Sequence, residues 1–202
     1  MLNNMRHKIG RLSFAFLLVV NTAIAANAPA SATASAASVT DYDSQAVIIY
    51  KFAYSYVEWP QITLKDNVKS VQVCVFGNSP AFVKSMENVS AKIADKLKIN
   101  IKTDAALEEI GSCNIAYVSH GRSDSKTIIA EAKKHSVLTV APIDGFANDG
   151  GIIEFNFSDS GETGGVPTST GNVTFKVSTK AATESNLKIA TEALQSAKEV
   201  IK

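Results

Sequence analysis

Hydrophobic residues recur every three to four positions over residues 43–59, which is the spacing of one face of a helix. They form two stripes, namely Ala46, Tyr50, Ala53 and Val57 in the first, and Ile48, Phe52 and Tyr56 in the second. Pro60 ends this predicted helix, because proline disfavours helical geometry in the residue before it. A helix that is apolar on two sides is usually buried on two sides. We therefore expect one side to pack on a sheet and the other to meet a second helix or a partner chain.

The next hundred or so residues alternate between short strand patterns and helical patterns. Strands are predicted at 70–76, 98–102, 113–119 and 136–141, and helical segments at 80–96, 105–110 and 123–134. Ser79 is expected to cap the first of these helices, with Pro80 at its first position, and Ser123 to cap the last. An alternation of strands and helices predicts a parallel sheet covered by helices.

The last third of the chain has a different pattern. Apolar and polar residues alternate strictly over 153–157 and 173–177, as in antiparallel strands with one wet face. The connection 158–171 is long and rich in glycine, and loops of this length are often functional or mobile. A closing helix is predicted over 181–201. The expected fold is α/β: a single-domain mixed sheet, largely parallel with an antiparallel C-terminal strand pair, flanked by helices.

The N-terminus has the three parts of a secretory signal peptide. They are a basic region with Arg6, Lys8 and Arg11, the apolar run 12–20, and the small-residue cleavage site Ala23-Ile24-Ala25. The alternative is a transmembrane anchor, but the run is shorter than the ~20 apolar residues that a span needs. We predict residues 1–25 as a signal peptide cleaved after Ala25, which places the mature protein outside the cytoplasm.

Residues 26–38 contain only small or uncharged polar residues and no large apolar one. Such a segment buries too little surface to offset its ordering entropy, so we predict a flexible tether followed by one domain over 39–202. Without the signal peptide the chain has 17 basic and 19 acidic residues, a net charge of −2, and neither sign clusters. A nucleic-acid partner is therefore not expected.

Few residues offer chemistry. The two cysteines, Cys74 and Cys113, indicate a disulfide in an exported chain, with two buried free thiols as the alternative. His120 follows a predicted strand, but a lone histidine in a polar turn is usually inert. No zinc spacing and no phosphate-loop motif occur, so we predict no catalytic residue, metal or cofactor. The turn at Gly77 opens a helix that could hold an anion, although an ordinary turn is the simpler interpretation.

Several short motifs occur in a particular order along the chain. They are Tyr56-Val57-Glu58-Trp59-Pro60, Val73-Cys74-Val75-Phe76-Gly77, Ser112-Cys113-Asn114-Ile115, Val137-Leu138-Thr139-Val140, Gly145-Phe146-Ala147 with Gly150-Gly151, and Val173-Thr174-Phe175-Lys176-Val177. In this order the motifs resemble the YfiR family of periplasmic proteins. The resemblance covers nearly all of residues 43–202.

The resemblance implies an α/β regulator without enzymatic activity. It implies that the protein holds an inner-membrane diguanylate cyclase of the YfiN type in its off state, which lowers cyclic di-GMP and biofilm formation. It also implies sequestration by an outer-membrane lipoprotein of the YfiB type, a homodimer, and a disulfide between Cys74 and Cys113. The chain departs from the family in two respects: it lacks a second cysteine pair, and it has Ser178-Thr179 where relatives often have asparagine.

Two function hypotheses lead. The first is a regulator acting by protein–protein contact, and its candidate contact residues are Ile48, Phe52, Tyr56 and Trp59, together with Val166 in the long connection. Burial of that helical stripe in the core is the alternative. The second hypothesis is a periplasmic small-molecule sensor or binding protein, with a pocket near the strand ends at Gly77, Ser119 and Pro142. An enzyme is the third and weakest alternative.

Overall fold

The computed structural model describes residues 39–60, 70–157 and 173–202. The longer helices are α1 (Val39–Lys51), α2 (Pro80–Ile93) and α3 (Ser125–Lys134), and the short ones are α4 (Thr179–Glu184) and α5 (Thr191–Ser196). The strands are β1 (Val57–Glu58), β2 (Ser70–Phe76), β3 (Lys98–Lys102), β4 (Ile115–Val118), β5 (Leu138–Ala141), β6 (Ile153–Phe157), β7 (Val173–Ser178), β8 (Lys188–Ile189) and β9 (Glu199–Ile201). The predicted signal peptide, the tether and the connection 158–171 lie outside the described residues.

The described part contains a seven-stranded sheet in the order β3-β2-β4-β5-β6-β7-β9. Strands β3, β2, β4, β5 and β6 are mutually parallel, whereas β7 pairs antiparallel with β6 and Phe155 lies opposite Phe175. The predicted fold class, including the antiparallel pair near the C-terminus, is confirmed. The strand order reverses at β2, since β3 lies on one side of it and β4 on the other.

Both faces of the central strands are buried, as expected for a parallel sheet between two layers of helices. In β2, Val71, Val73 and Val75 point into the larger core, which α1 and α2 cover. Cys74 and Phe76 point to the opposite face, where a 3-10 turn (Leu107–Ser112) and α3 cover a smaller core. The sheet therefore has helical layers on both sides.

The first helix is shorter than predicted. It ends at Lys51, continues as a π-helical turn (Phe52–Tyr56), and gives way to β1, in which Val57 pairs with Ile189 of β8. Two smaller differences lie at other helix ends. Helix α2 ends at Ile93 rather than near residue 96, and Asp124 rather than Ser123 occupies the N-cap position of α3.

The predicted closing helix over 181–201 is wrong. Helix α4 ends in a Schellman motif, in which the amide of Asn186 donates to the Thr183 carbonyl (3.0 Å) and that of Leu187 to the Ala182 carbonyl (2.8 Å). Asn186 has a left-handed backbone (φ +56°) that a continuing helix does not allow. The chain then forms β8, α5 and β9, and β9 extends the sheet beside β7.

Candidate functional site

The outward side of α1 carries an apolar surface. Val47 is 44% exposed and Tyr54, in the π-helical turn, is 47% exposed, and these two are the exposed large hydrophobic residues of the described ranges. The ring of Tyr50 stacks on that of Tyr54 with centroids 5.6 Å apart. We call Val47, Tyr50 and Tyr54 the α1 surface.

The contact residues predicted from the sequence lie in different environments. Phe52 (1% exposed) and Trp59 (7%) belong to the core, and the ring of Phe52 packs edge-on against Phe175 at 5.5 Å. Ile48 and Tyr56 are half-buried against the same core. Val166 lies outside the described residues. Of the predicted stripe, only Ile48 and Tyr56 are partly accessible, as is Tyr50 of the α1 surface, whereas Val47 and Tyr54 are exposed.

Cys74 and Cys113 form a disulfide, with their Cα atoms 5.8 Å apart. Cys74 lies in β2, and Cys113 lies just before β4, the neighbouring parallel strand. Both cysteines are buried in the smaller core. The disulfide therefore links β2 to the segment just before β4, inside the smaller core.

A tight cluster lies where β2 and β4 end. Gly77 follows β2 with φ +91°, and the amide of Ser119 donates to the Phe76 carbonyl at 3.0 Å. Arg122 folds back over Gly77 and pairs with Asp124, its Nε donating to Oδ1 at 2.7 Å. The hydrogen bond from Arg122 holds the pKa of the Asp124 carboxyl below its usual value.

A groove of about 440 Å³ opens beside Gly77. One wall is the first turns of α2 with Pro80 and Lys84, and another is formed by Thr103 and Asp104 after β3. Because it lies at the carboxyl ends of parallel strands, the groove occupies the region where open α/β sheets bind ligands. Ser79 occupies the N-cap position of α2 as predicted, but its side chain makes no capping hydrogen bond.

A polar contact lies within the larger core between α1 and β4. The hydroxyl of Tyr117 donates to Oε1 of Gln45 at 3.1 Å, and the Tyr117 ring stacks on Phe82 with centroids 3.6 Å apart. Burial raises the pKa of Tyr117 well above its ordinary value. The phenol therefore stays protonated and holds α1 to the sheet.

His120 and His135 have structural contacts. Nδ1 of His120 lies 3.2 Å from the carbonyl oxygen of Pro142, and Nε2 of His135 lies 3.4 Å from a carboxylate oxygen of Glu131. Across residues 39–60, 70–157 and 173–202, no group of three or more His, Cys, Asp or Glu side chains is placed to hold a metal ion. In the same ranges no helix is long and apolar enough to cross a membrane.

The fold is that of an α/β domain with a largely parallel sheet covered by helices on both faces. The chain belongs to the YfiR/HmsC-like family, which it matches over residues 42–198, so the resemblance drawn from the motifs is confirmed. This family is regulatory and periplasmic, and membership associates the chain with the control of cyclic di-GMP signalling. The comparison with curated proteins finds no match.

Two solved structures show the same fold at low sequence identity. A conserved domain protein from Vibrio cholerae O1 biovar El Tor is 14% identical, with a TM-score of 0.51 over 79% of this chain and 60% of its own. The ABC domain from Streptococcus pneumoniae, solved in complex with L-Trp, is also 14% identical, with a TM-score of 0.50 over 80% of this chain and 62% of its own. The chain thus spans about three fifths of the length of each.

Proposed function

We propose that this protein is exported, is cleaved after Ala25, and binds the periplasmic sensor region of an inner-membrane signalling protein. By that contact it represses a diguanylate cyclase of the YfiN type, and so lowers cyclic di-GMP and biofilm formation. An outer-membrane lipoprotein of the YfiB type is the proposed antagonist. Family membership supports this proposal, and the α1 surface is the observation that carries the contact.

The α1 surface suits a protein contact because its apolar side chains stand on a rigid support. Phe52 and Ala53, which follow α1 directly, are buried in the core, and Gln45 is tied to Tyr117. Tyrosine is enriched among the residues that dominate binding energy, since its ring gives a large contact area at a low entropy cost. We propose Val47, Tyr50 and Tyr54, with half-buried Ile48 and Tyr56 beside them, as the partner-binding residues.

The size of the α1 surface bears on the proposed homodimer. A stable interface buries about 800 Å² on each side, and an aromatic side chain supplies about 150–250 Å² when it is fully buried. Three side chains, all partly covered by their own chain, fall short of that area. A stable contact with a second copy or with the signalling partner must therefore include other surfaces beside the α1 surface.

Tyr54→Ala tests the contact. We expect the affinity for the co-purified signalling partner to fall about thirtyfold, the effect of losing roughly 2 kcal/mol at a central interface residue. The melting temperature should stay close to that of the natural chain, because Tyr54 is exposed. Ser55→Ala, an exposed neighbour, is the matched control and should bind normally. Unchanged affinity in Tyr54→Ala would remove the α1 surface from the proposal.

The regulatory role is tested by deleting the gene and complementing it. A rise in cellular cyclic di-GMP on deletion, reversed by the natural chain but not by Tyr54→Ala, supports a repressor acting through α1. Phe52→Asp serves as a core-disrupting reference and is expected to be unfolded, because Phe52 is buried against Phe175. If the deletion strain and the parent strain contain the same level of cyclic di-GMP, under conditions where the parent makes abundant protein, the proposed repression of a diguanylate cyclase is wrong.

The groove beside Gly77 supports a second candidate, a periplasmic small-molecule sensor or binding protein. Its volume of about 440 Å³ falls within the range of ligand sites. The Streptococcus pneumoniae domain of similar fold is described in complex with L-Trp. A thermal-shift screen of metabolites separates the candidates, because a specific ligand raises the melting temperature without any partner protein.

A further inference from the structure

A small polar pocket lies at the amino ends of β4 and β5, at the end of the sheet opposite to the groove beside Gly77. Its volume is about 70 Å³. Trp59 lines it just after β1, Asn114 just before β4, and Ser136 between α3 and β5. A single water molecule needs about 10–15 Å³ of such volume. The pocket therefore has room for a group of a few non-hydrogen atoms.

Trp59 carries a hydrogen-bond donor that the described part of the chain leaves unused. The residue is 7% exposed, and its Nε1 atom is buried without a hydrogen-bond partner in those ranges. An indole N–H group can only donate, and a buried one usually finds an acceptor. Leaving it unpaired costs free energy. An acceptor bound in the pocket would remove that cost.

Other side chains of the pocket divide into donors and acceptors. Oδ1 of Asn114 accepts a hydrogen bond from the amide of Gln72 at 2.9 Å, so the NH₂ group of Asn114 is left to donate. The half-buried Ser136 adds a hydroxyl. The hydroxyl of Ser112 already donates to a backbone carbonyl at 2.7 Å, which leaves its oxygen as an acceptor. The pocket thus suits a group that both accepts and donates hydrogen bonds.

The charges around the pocket favour a neutral ligand. Among the described residues that line it there is no lysine or arginine. The basic side chain present is that of His135, whose Nε2 lies 3.4 Å from a carboxylate oxygen of Glu131. A buried anion without a cationic partner is costly, whereas a neutral carbonyl with hydrogen-bond donors is not. An amide therefore fits these surroundings better than a carboxylate of the same size.

We propose that this pocket binds the neutral carboxamide group of a small molecule. Nε1 of Trp59 and the hydroxyl of Ser136 donate to the carbonyl oxygen of the amide, and the hydroxyl oxygen of Ser112 accepts from its NH₂ group. The site goes beyond the proposed regulatory function. It shares no residue with the α1 surface or with the groove beside Gly77, so either proposal can fail while the other holds.

Acetamide is the probe, titrated against the whole mature chain by NMR. Trp59 is the only tryptophan of the sequence, so the indole N–H region holds a single signal that reports on this pocket. Acetamide is expected to shift that signal to a saturating value and to raise the melting temperature. Acetate, which has the same size and a negative charge, should bind about tenfold more weakly or less.

Ser136→Gly and Asn186→Gly form a matched pair of variants. Both residues have a left-handed backbone with φ +56°, so glycine suits both positions and the fold should persist. Ser136→Gly should weaken acetamide binding about threefold or more, because a hydrogen bond is lost, whereas Asn186→Gly, which lies outside the pocket, should bind as the natural chain does.

Trp59→Phe keeps an aromatic ring but removes the N–H group, and it should also weaken acetamide binding about threefold or more, as measured by thermal shift. The Ser136→Gly result decides the matter if Trp59→Phe is unfolded. The proposal is overturned if the indole signal shows no saturable shift, if acetate binds as tightly as acetamide, or if Ser136→Gly binds acetamide as Asn186→Gly does.

Discussion

Glu154 is a carboxylate in β6 that the fold buries almost completely, at 1% exposure. It accepts hydrogen bonds from the amide of Ala147 (3.0 Å) and from Nδ2 of Asn156 (3.1 Å), and its Oε1 lies 3.2 Å from Nζ of Lys176 on β7. Burial opposes ionisation of Glu154, but these contacts outweigh it and hold the pKa of the carboxyl below its ordinary value. The group therefore joins a loop and two strands as a paired anion.

Glu154→Gln is expected to lower the free energy of unfolding at neutral pH by about 1–3 kcal/mol, because the hydrogen bonds from Ala147 and Asn156 lose their charged acceptor and Lys176 keeps only the exposed Glu199, 3.5 Å away. A depressed pKa stabilises the folded state at pH values above the unfolded pKa of 4.5. The difference between the natural chain and Glu154→Gln should therefore shrink as the pH falls below that value. Urea unfolding over a pH series measures it.

The exposed strand residue Glu58 supplies the control for that series. Glu58→Gln should change the stability little at any pH. A difference between the natural chain and Glu154→Gln that stays constant down to the acid transition would contradict the charged role of Glu154.

Two helices end in left-handed residues, which set the element boundaries. Ser136 (φ +56°) follows α3, and the amide of Val137 donates to the Ala132 carbonyl at 3.1 Å. Asn186 ends α4 in the same manner. Asparagine tolerates this conformation better than most residues, whereas a β-branched side chain does not.

Asn186→Val is expected to destabilise the domain by about 1–2 kcal/mol, and Asn186→Gly to be neutral or stabilising. Both variants remove the asparagine side chain, so their comparison isolates the backbone conformation. Chemical denaturation gives both values. Equal losses in the two variants would show that the side chain, rather than the φ angle, matters at this position.

The sequence predicted the strands 70–76, 98–102 and 153–157 with their bounds, because their apolar alternation is set by burial on the sheet. The closing helix was predicted wrongly because Leu187, Leu194 and Ile201 have a spacing compatible with a helix. The structure of this segment is set instead by strand pairing with residues far away in the sequence. Ile189 pairs with Val57, and Val200 with Val177. The exposed side of α1 could not be predicted for the same reason, since it depends on which elements pack behind the helix.

The pocket predicted near Gly77, Ser119 and Pro142 was located only in part. The ends of β2 and β4 lie on the same side of the sheet, because parallel neighbours end together, but of these three residues only Gly77 lines the groove. Nothing in the local sequence indicates that Arg122 folds over Gly77 or that the Ser119 hydroxyl lacks a partner. Both depend on three segments meeting in the folded chain.

At the scale of the whole molecule, the disulfide limits how far the unfolded chain can expand. The bond closes a loop between residues separated by 39 positions. Reduction, or the Cys74→Ala/Cys113→Ala double variant, is expected to cost about 4 kcal/mol by the chain-entropy relation. A melting curve with and without a dithiol reductant measures this cost. An unchanged melting temperature after complete reduction would show that the strands hold equally well without the bond.

The pairing of β1 with β8 has a further consequence for the timing of folding. Val57 and Ile189 are 132 positions apart, so the ladder that fixes the chain just after α1 forms only once distant segments have met. Contacts so far apart in sequence form late, because closing the long loop between them costs entropy before the contacts contribute any stabilisation. The segment that follows α1 is therefore completed only after residues near the C-terminus have been made. For the export and repression proposed above, this means that binding competence would follow completion of the whole domain.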